Sequence, residues 1–83
     1  MRRIDRIKEK LLSLNPAYIE VIDDSIIHSN HSGIKENTET HMRIIISTNM
    51  FQGKSLITQH RTINHLLQDE FKSGLHALSI RVL

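Results

Sequence analysis

The spacing of the apolar residues changes from one segment of this chain to the next, and this pattern constrains the fold most strongly. In the first segment they recur every three or four positions, which predicts an amphipathic helix over residues 2–14 that ends at Asn15-Pro16. Over residues 18–23 and 40–48 they alternate, which predicts two strands. The chain therefore combines helices with strands.

The C-terminal third predicts a second helix and a third strand. A stripe at helical spacing is followed by Gly74, which stands where a C-terminal cap is expected, and then by an alternating segment. The stripe comprises Leu56, His60, Ile63, Leu67 and Phe71, and the alternating positions are Leu78, Ile80 and Val82. The predicted order is α-β-β-α-β, and the fold class is α+β.

This order predicts a three-stranded mixed sheet. The first two strands can pair antiparallel through the long connection of residues 24–39, and the following helix allows the third strand to lie parallel to the second by a right-handed crossover. The connection and the start of the third strand then share one edge of the sheet. We therefore expect His76 to face the connection that carries His28 and His31.

Length and composition exclude several classes of protein. The chain of 83 residues predicts a single domain spanning residues 1–83, and no apolar run approaches the roughly 20 residues of a membrane-spanning helix. The segment Met1–Asp5 lacks the apolar region of a secretory signal, so we expect a soluble, cytoplasmic protein. Because cysteine is absent, disulfides are excluded, and only a partner could supply thiolates to a metal.

The charged residues give little functional information. The formal net charge of +2 permits nucleic-acid binding without arguing for it. The first predicted helix carries most of its charges on positions outside the apolar stripe, and we expect them to form a solvated face. These residues are Arg3, Asp5, Arg6, Lys8, Glu9 and Lys10.

Three separated sequence blocks carry a resemblance to a known family. They are Phe51-Gln52-Gly53, His60-Arg61-Thr62-Ile63 and His76-Ala77-Leu78-Ser79-Ile80. In this order, F-x-G, H-R-x-I and H-A-L-S-I resemble the BolA family, over about Val21 to Ile80. The resemblance implies a fold similar to type II KH domains, with helices covering one face of the mixed sheet.

Histidine is the residue type here that could bind a metal or transfer protons near neutral pH. His60 lies within the second helical stripe, so we expect a partly buried, hydrogen-bonded structural residue. His41 and His65 fall outside the apolar positions and are expected to be exposed. The H-x-x-H of the connection and the histidine that opens the third strand are each weak metal signals when taken alone.

The resemblance assigns a shared function to these remaining histidines. In the BolA family, the histidine of H-A-L and a histidine or cysteine of the connection complete a [2Fe-2S] cluster shared with a monothiol glutaredoxin. This implies His76 as one ligand and His28, counted from Asp24-Ser25, as the other, with His31 as the alternative. The partner would add a cysteine and a glutathione thiolate, so the isolated chain would hold no cluster. The implied role is an adaptor in cluster trafficking or in iron and redox sensing.

DNA binding by a transcriptional regulator is the alternative, because KH-like domains bind nucleic acids. The turn and helix after Phe51 could present Lys54, Arg61 and Asn64 to DNA. Against this, the KH hallmark G-x-x-G is absent, aromatic residues are few, and Gln59 replaces the arginine of the commonest family form. No Ser/His/Asp order, nucleotide loop or H-E-x-x-H is present, so we do not expect an enzyme.

Overall fold

The computed structural model describes residues 2–25 and 39–83, which contain three helices and three strands. Their order is α1 (Arg3–Leu11), β1 (Tyr18–Asp23), β2 (His41–Ser47), α2 (Leu56–Leu66), α3 (Gln68–Lys72) and β3 (Ala77–Val82). Short 3-10 turns follow α1 at Leu12–Leu14 and β2 at Asn49–Phe51. Among the described helices, none has the length and apolar character needed to cross a membrane. The predicted element order is confirmed, except that the second helix is divided into two.

The three strands form one mixed sheet with β2 in the centre. Strand β1 pairs antiparallel with β2, with Val21 opposite Ile44, and β3 pairs parallel with β2, with Ile80 opposite the same residue. The predicted pairing directions are therefore confirmed. Because β2 and β3 run in the same direction, both begin at the edge of the sheet where β1 ends.

The core lies between the helices and one face of the sheet. Alternation along β2 directs Met42, Ile44 and Ile46 inward, while Arg43 of the same strand is exposed on the opposite face. Burial of such side chains stabilises the fold by about 25 cal/mol for each Å² of apolar surface removed from water. The buried apolar residues are Ile7, Leu11, Leu14, Val21, Met42, Ile44, Ile46, Phe51, Ile63, Leu67 and Leu75.

The second predicted helix breaks at Leu67, whose φ of −103° and ψ of 13° lie outside the helical range. The prediction of one continuous stripe from Leu56 to Phe71 is therefore wrong at its two ends. Leu56 is 64% exposed and Phe71 is 36% exposed, whereas Glu70 is only 2% exposed. This break in the helix places Glu70 rather than Phe71 on the buried side of α3. On that side, the Glu70 carboxylate contacts cationic side chains.

These partners come from α1. Its Asp5, Lys8 and Glu9 are exposed as predicted, but the expectation of a solvated face is wrong for the three cations that contact Glu70. Arg3 Nη1 lies 2.8 Å from Glu70 Oε1, while Arg6 Nε and Lys10 Nζ each lie 2.9 Å from Oε2. Arg3 itself is buried. The hydrogen bonds from Arg6, with further attraction from Lys10, lower the pKa of the Glu70 carboxyl from 4.5 to about 2 against the opposing effect of burial.

Gly74 ends α3 as the sequence predicts, with a positive φ of 127° that side chains rarely adopt. A Cβ at this position would lie 3.2 Å from Arg3 Nη2. The same guanidinium donates to the Ser73 carbonyl at 3.1 Å. The backbone conformation therefore favours glycine, and the close approach of Arg3 leaves little room for a side chain.

Candidate metal-binding edge of the sheet

One edge of the sheet brings together the end of β1, the start of β2 and the residue before β3. We call this the histidine edge and define it by Asp24, Ser25, Thr40, His41 and His76. The Asp24 amide donates to the His41 carbonyl at 2.8 Å, and the His76 amide donates to the Thr40 carbonyl at 2.8 Å. These backbone hydrogen bonds fix the three chain segments relative to one another.

Ser25 connects the two ends of the long connection. Its side-chain oxygen accepts hydrogen bonds from the amides of Thr40 at 2.8 Å and His41 at 3.1 Å. The residue is only 1% exposed, and its own amide donates to Asp23 Oδ1 at 2.9 Å. The sequence marked Ser25 only as part of an Asp-Ser pair, and the structure gives this serine the role of positioning the start of β2.

Two histidine rings meet at this edge. The ring centroids of His41 and His76 are 6.5 Å apart, with an angle of 55° between the ring planes. His76 is exposed, whereas His41 is half-buried, and its Nδ1 lies 2.9 Å from Thr40 Oγ1. The expectation that His41 is a simple exposed surface residue is therefore wrong.

The other two predicted metal ligands, His28 and His31, lie outside the described residues. Their relation to His76 stays a prediction. The intervening segment is flanked by Ser25, shortly after the end of β1, and by Glu39, shortly before the start of β2. Within residues 2–25 and 39–83, no group of three or more histidine, aspartate or glutamate side chains is placed to hold a metal ion.

A shallow cavity of about 190 Å³ adjoins the histidine edge. Asp24, His41 and Met42 line one side, and residues 77–79 line the other. The Asp24 carboxylate lies 3.0 Å from Arg43 Nη2, so its charge is compensated within the sheet. This edge therefore presents imidazoles beside a carboxylate that is already paired.

The two histidines of α2 lie elsewhere in the fold. His60 is half-buried as predicted. Its buried Nε2 makes no hydrogen bond to any described residue, so the predicted hydrogen bonding of this ring is not found at that nitrogen. His65 is exposed on the outer side of α2, as predicted. Neither ring belongs to the histidine edge.

The residues proposed for DNA binding lie on a separate surface. Lys54, Arg61 and Asn64 are all exposed, the first in the turn before α2 and the others on the helix itself. The Gln59 side chain instead donates to the carbonyls of Phe51 at 3.2 Å and Lys54 at 3.1 Å. Gln59 therefore ties the turn to the helix, a structural role that the sequence did not reveal.

The described fold is an α+β domain in which helices cover one face of a three-stranded mixed sheet and histidines meet at one edge. The family model described as BolA-like protein matches residues 11–83. The chain belongs to the BolA family. The resemblance carried by the three sequence blocks is thereby confirmed.

Comparisons with individual proteins agree with this family. The chain is 50% identical over 80 residues to SufE-like protein 1, chloroplastic/mitochondrial, of Arabidopsis thaliana, covering 90% of this chain and 22% of that protein. It is 42% identical to Protein BOLA1, chloroplastic, of the same plant, covering 94% of this chain and 51% of that protein. The chain thus spans about a fifth of the length of the first relative and about half of the second. Because their names refer to organelles, a cytoplasmic location stays a prediction.

Solved structures of these relatives share the fold. The BolA domain of SufE1 from Arabidopsis thaliana has a TM-score of 0.86 at 49% identity, covering 99% of this chain and 91% of that one. BolA1 from the same plant has a TM-score of 0.89 at 40% identity, covering 99% of this chain and 90% of that one. A bacterial relative, the DNA-binding transcriptional regulator BolA of Escherichia coli (strain K12), is 31% identical and covers 92% of this chain and 70% of its own length.

Proposed function

We propose that this chain is an iron–sulfur adaptor that shares a [2Fe-2S] cluster with a monothiol glutaredoxin and glutathione. The observation that carries the proposal is the exposed ring of His76 at the edge where the connection between β1 and β2 begins and ends. Membership of the BolA family supports the same role. No catalytic step by this chain is required.

The chemistry of the donor set fits a shared cluster. Imidazoles can replace two thiolates on one iron of a [2Fe-2S] centre, which raises its reduction potential. His76 would supply one imidazole, and His28, or alternatively His31, would supply the other. Each iron needs two terminal ligands, so with both imidazoles on one iron the partner cysteine and glutathione must complete the other, because this chain has no cysteine.

Reconstitution with a monothiol glutaredoxin, glutathione, iron and sulfide under anaerobic conditions tests this proposal. The heterodimer should give a visible absorption and circular dichroism spectrum that differs from that of the bridged glutaredoxin homodimer, while the isolated chain stays colourless. His76→Ala should abolish the difference and His28→Ala should weaken it. His65→Ala is the matched control and should leave the spectrum unchanged. An unaltered mixed spectrum with His76→Ala would contradict the proposal.

DNA binding remains the second candidate function. The exposed side chains of Lys54 in the turn before α2, and of Arg61 and Asn64 on the helix, favour it, as does the name of the Escherichia coli relative. The aromatic residues needed to stack single-stranded bases are scarce, so any contact would be mainly with phosphate.

A further inference from the structure

We propose that His41 and His76 together form a mononuclear site for a late first-row divalent cation, such as Zn²⁺, on the isolated chain. This site goes beyond the glutaredoxin-dependent cluster, because it needs no partner thiolate. It shares only His76 with the proposed cluster. The two proposals can therefore fail independently.

The backbone preorganises the two imidazoles. His41 is the first residue of β2 and lies opposite Ala77 in the parallel pair, so His76 is one residue before that position. The Thr40 carbonyl accepts hydrogen bonds from the amides of both His76 and Ala77, at 2.8 and 3.2 Å. The ligands would thus come from hydrogen-bonded segments rather than from independently moving loops.

The ring separation is close to what one metal ion requires. With metal–nitrogen distances near 2.0–2.1 Å, two imidazoles on a tetrahedral ion have centroids about 5 Å apart. The observed centroid separation is 6.5 Å. Because His76 is exposed, rotation of its side chain can close the difference without moving the sheet.

Thr40 supplies the outer contact that metal-binding histidines characteristically have. Its Oγ1 lies 2.9 Å from His41 Nδ1. When Nδ1 donates a hydrogen bond to this hydroxyl, Nε2 carries the lone pair that can bind a metal. Any contact that Nε2 makes in the metal-free chain would then be replaced by the bond to the metal. Neutral imidazole favours Zn²⁺, Cu²⁺ and Ni²⁺ over Mg²⁺, which prefers oxygen ligands. Water would fill the remaining coordination positions.

Titration of the isolated, metal-free chain with Zn²⁺ tests the site by calorimetry and by the NMR signals of the histidine rings. One Zn²⁺ should bind per chain, with the largest shifts at His41 and His76, and Mg²⁺ should produce none. His41→Ala and His76→Ala should each weaken Zn²⁺ binding tenfold or more, and Thr40→Val by about tenfold. His65→Ala should bind as the unaltered chain does, and amide spectra should establish that each variant is folded.

Two results would overturn the site. The first is a folded His41→Ala variant that binds Zn²⁺ with the same affinity as the unaltered chain. The second is loss of binding in the double variant His28→Ala/His31→Ala while His41→Ala binds normally. A mixed [2Fe-2S] spectrum that still depends on His76 would leave the proposed function standing in either case.

Discussion

Some residues of the BolA motifs stabilise the fold, and others are exposed and available for binding. In F-x-G, Phe51 is 4% exposed and Gly53 has a φ of +78°, so this block builds the turn before α2. In H-R-x-I, Ile63 is buried and Arg61 is exposed. Among these residues, His76 of H-A-L is the exposed imidazole next to a second ring. The last block is therefore the one on which both proposed metal sites depend.

Substitution of Ser25 tests how firmly the histidine edge is held. Ser25→Ala removes the acceptor for two backbone amides at the start of β2, so unfolding free energy should fall by about 1–3 kcal/mol in urea denaturation. The NMR signals of the His41 ring should shift as well. Ser79→Ala, at an exposed position on β3, is the control. Unchanged stability and unchanged His41 signals would show that Ser25 does not position this edge.

At the level of elements, α1 and α3 are held together by charge. Glu70 accepts hydrogen bonds from Arg3, Arg6 and Lys10 and is almost fully buried. A buried carboxylate is costly unless it is paired, and removal of one partner leaves an uncompensated charge. This cluster gives the short helix α3 a defined position against α1.

Glu70→Gln should therefore destabilise the fold, and the loss should depend on pH. The folded pKa of about 2 lies below the ordinary value of 4.5, so the carboxylate contributes its full stability above about pH 4.5 and loses it as the pH falls towards 2. At pH 7 the variant should lose ~3 kcal/mol of unfolding free energy. Its stability should also vary less between pH 4.5 and 2, as measured by urea denaturation.

Glu9→Gln, at an exposed position of α1, serves as the matched control and should be nearly neutral. Equal stability of Glu70→Gln and the unaltered chain at pH 7 would contradict the structural role assigned to the cluster.

For the whole molecule, the alternation and helical spacing of apolar residues predicted the strands within one residue and the pairing directions correctly. These features follow from local periodicity and from the handedness of crossovers. The Glu70 cluster could not be predicted, because its cations are 60 to 67 residues away in sequence. The contact between His41 and His76 required the register of β2 and β3, which only the structure provides.

Measurements of the affinity for duplex DNA at several salt concentrations test the second candidate function. We expect weak, sequence-indifferent affinity that falls steeply with salt, and Arg61→Ala should reduce the slope of log affinity against log salt by about one unit. Arg81→Ala, an exposed change on β3 and away from α2, should leave the slope unchanged. Sequence-specific nanomolar binding at physiological salt would instead favour a regulator over a cluster adaptor.

The central position of β2 also has a kinetic consequence. Neither neighbouring strand is joined to it by a tight turn, because residues 24–40 separate β1 from β2 and two helices separate β2 from β3. Each pairing must therefore close a long loop before its contacts form, which slows folding. During synthesis, the parallel pair cannot form until β3 has left the ribosome. The nascent domain should thus complete its sheet only in a late step, when β3 pairs with β2.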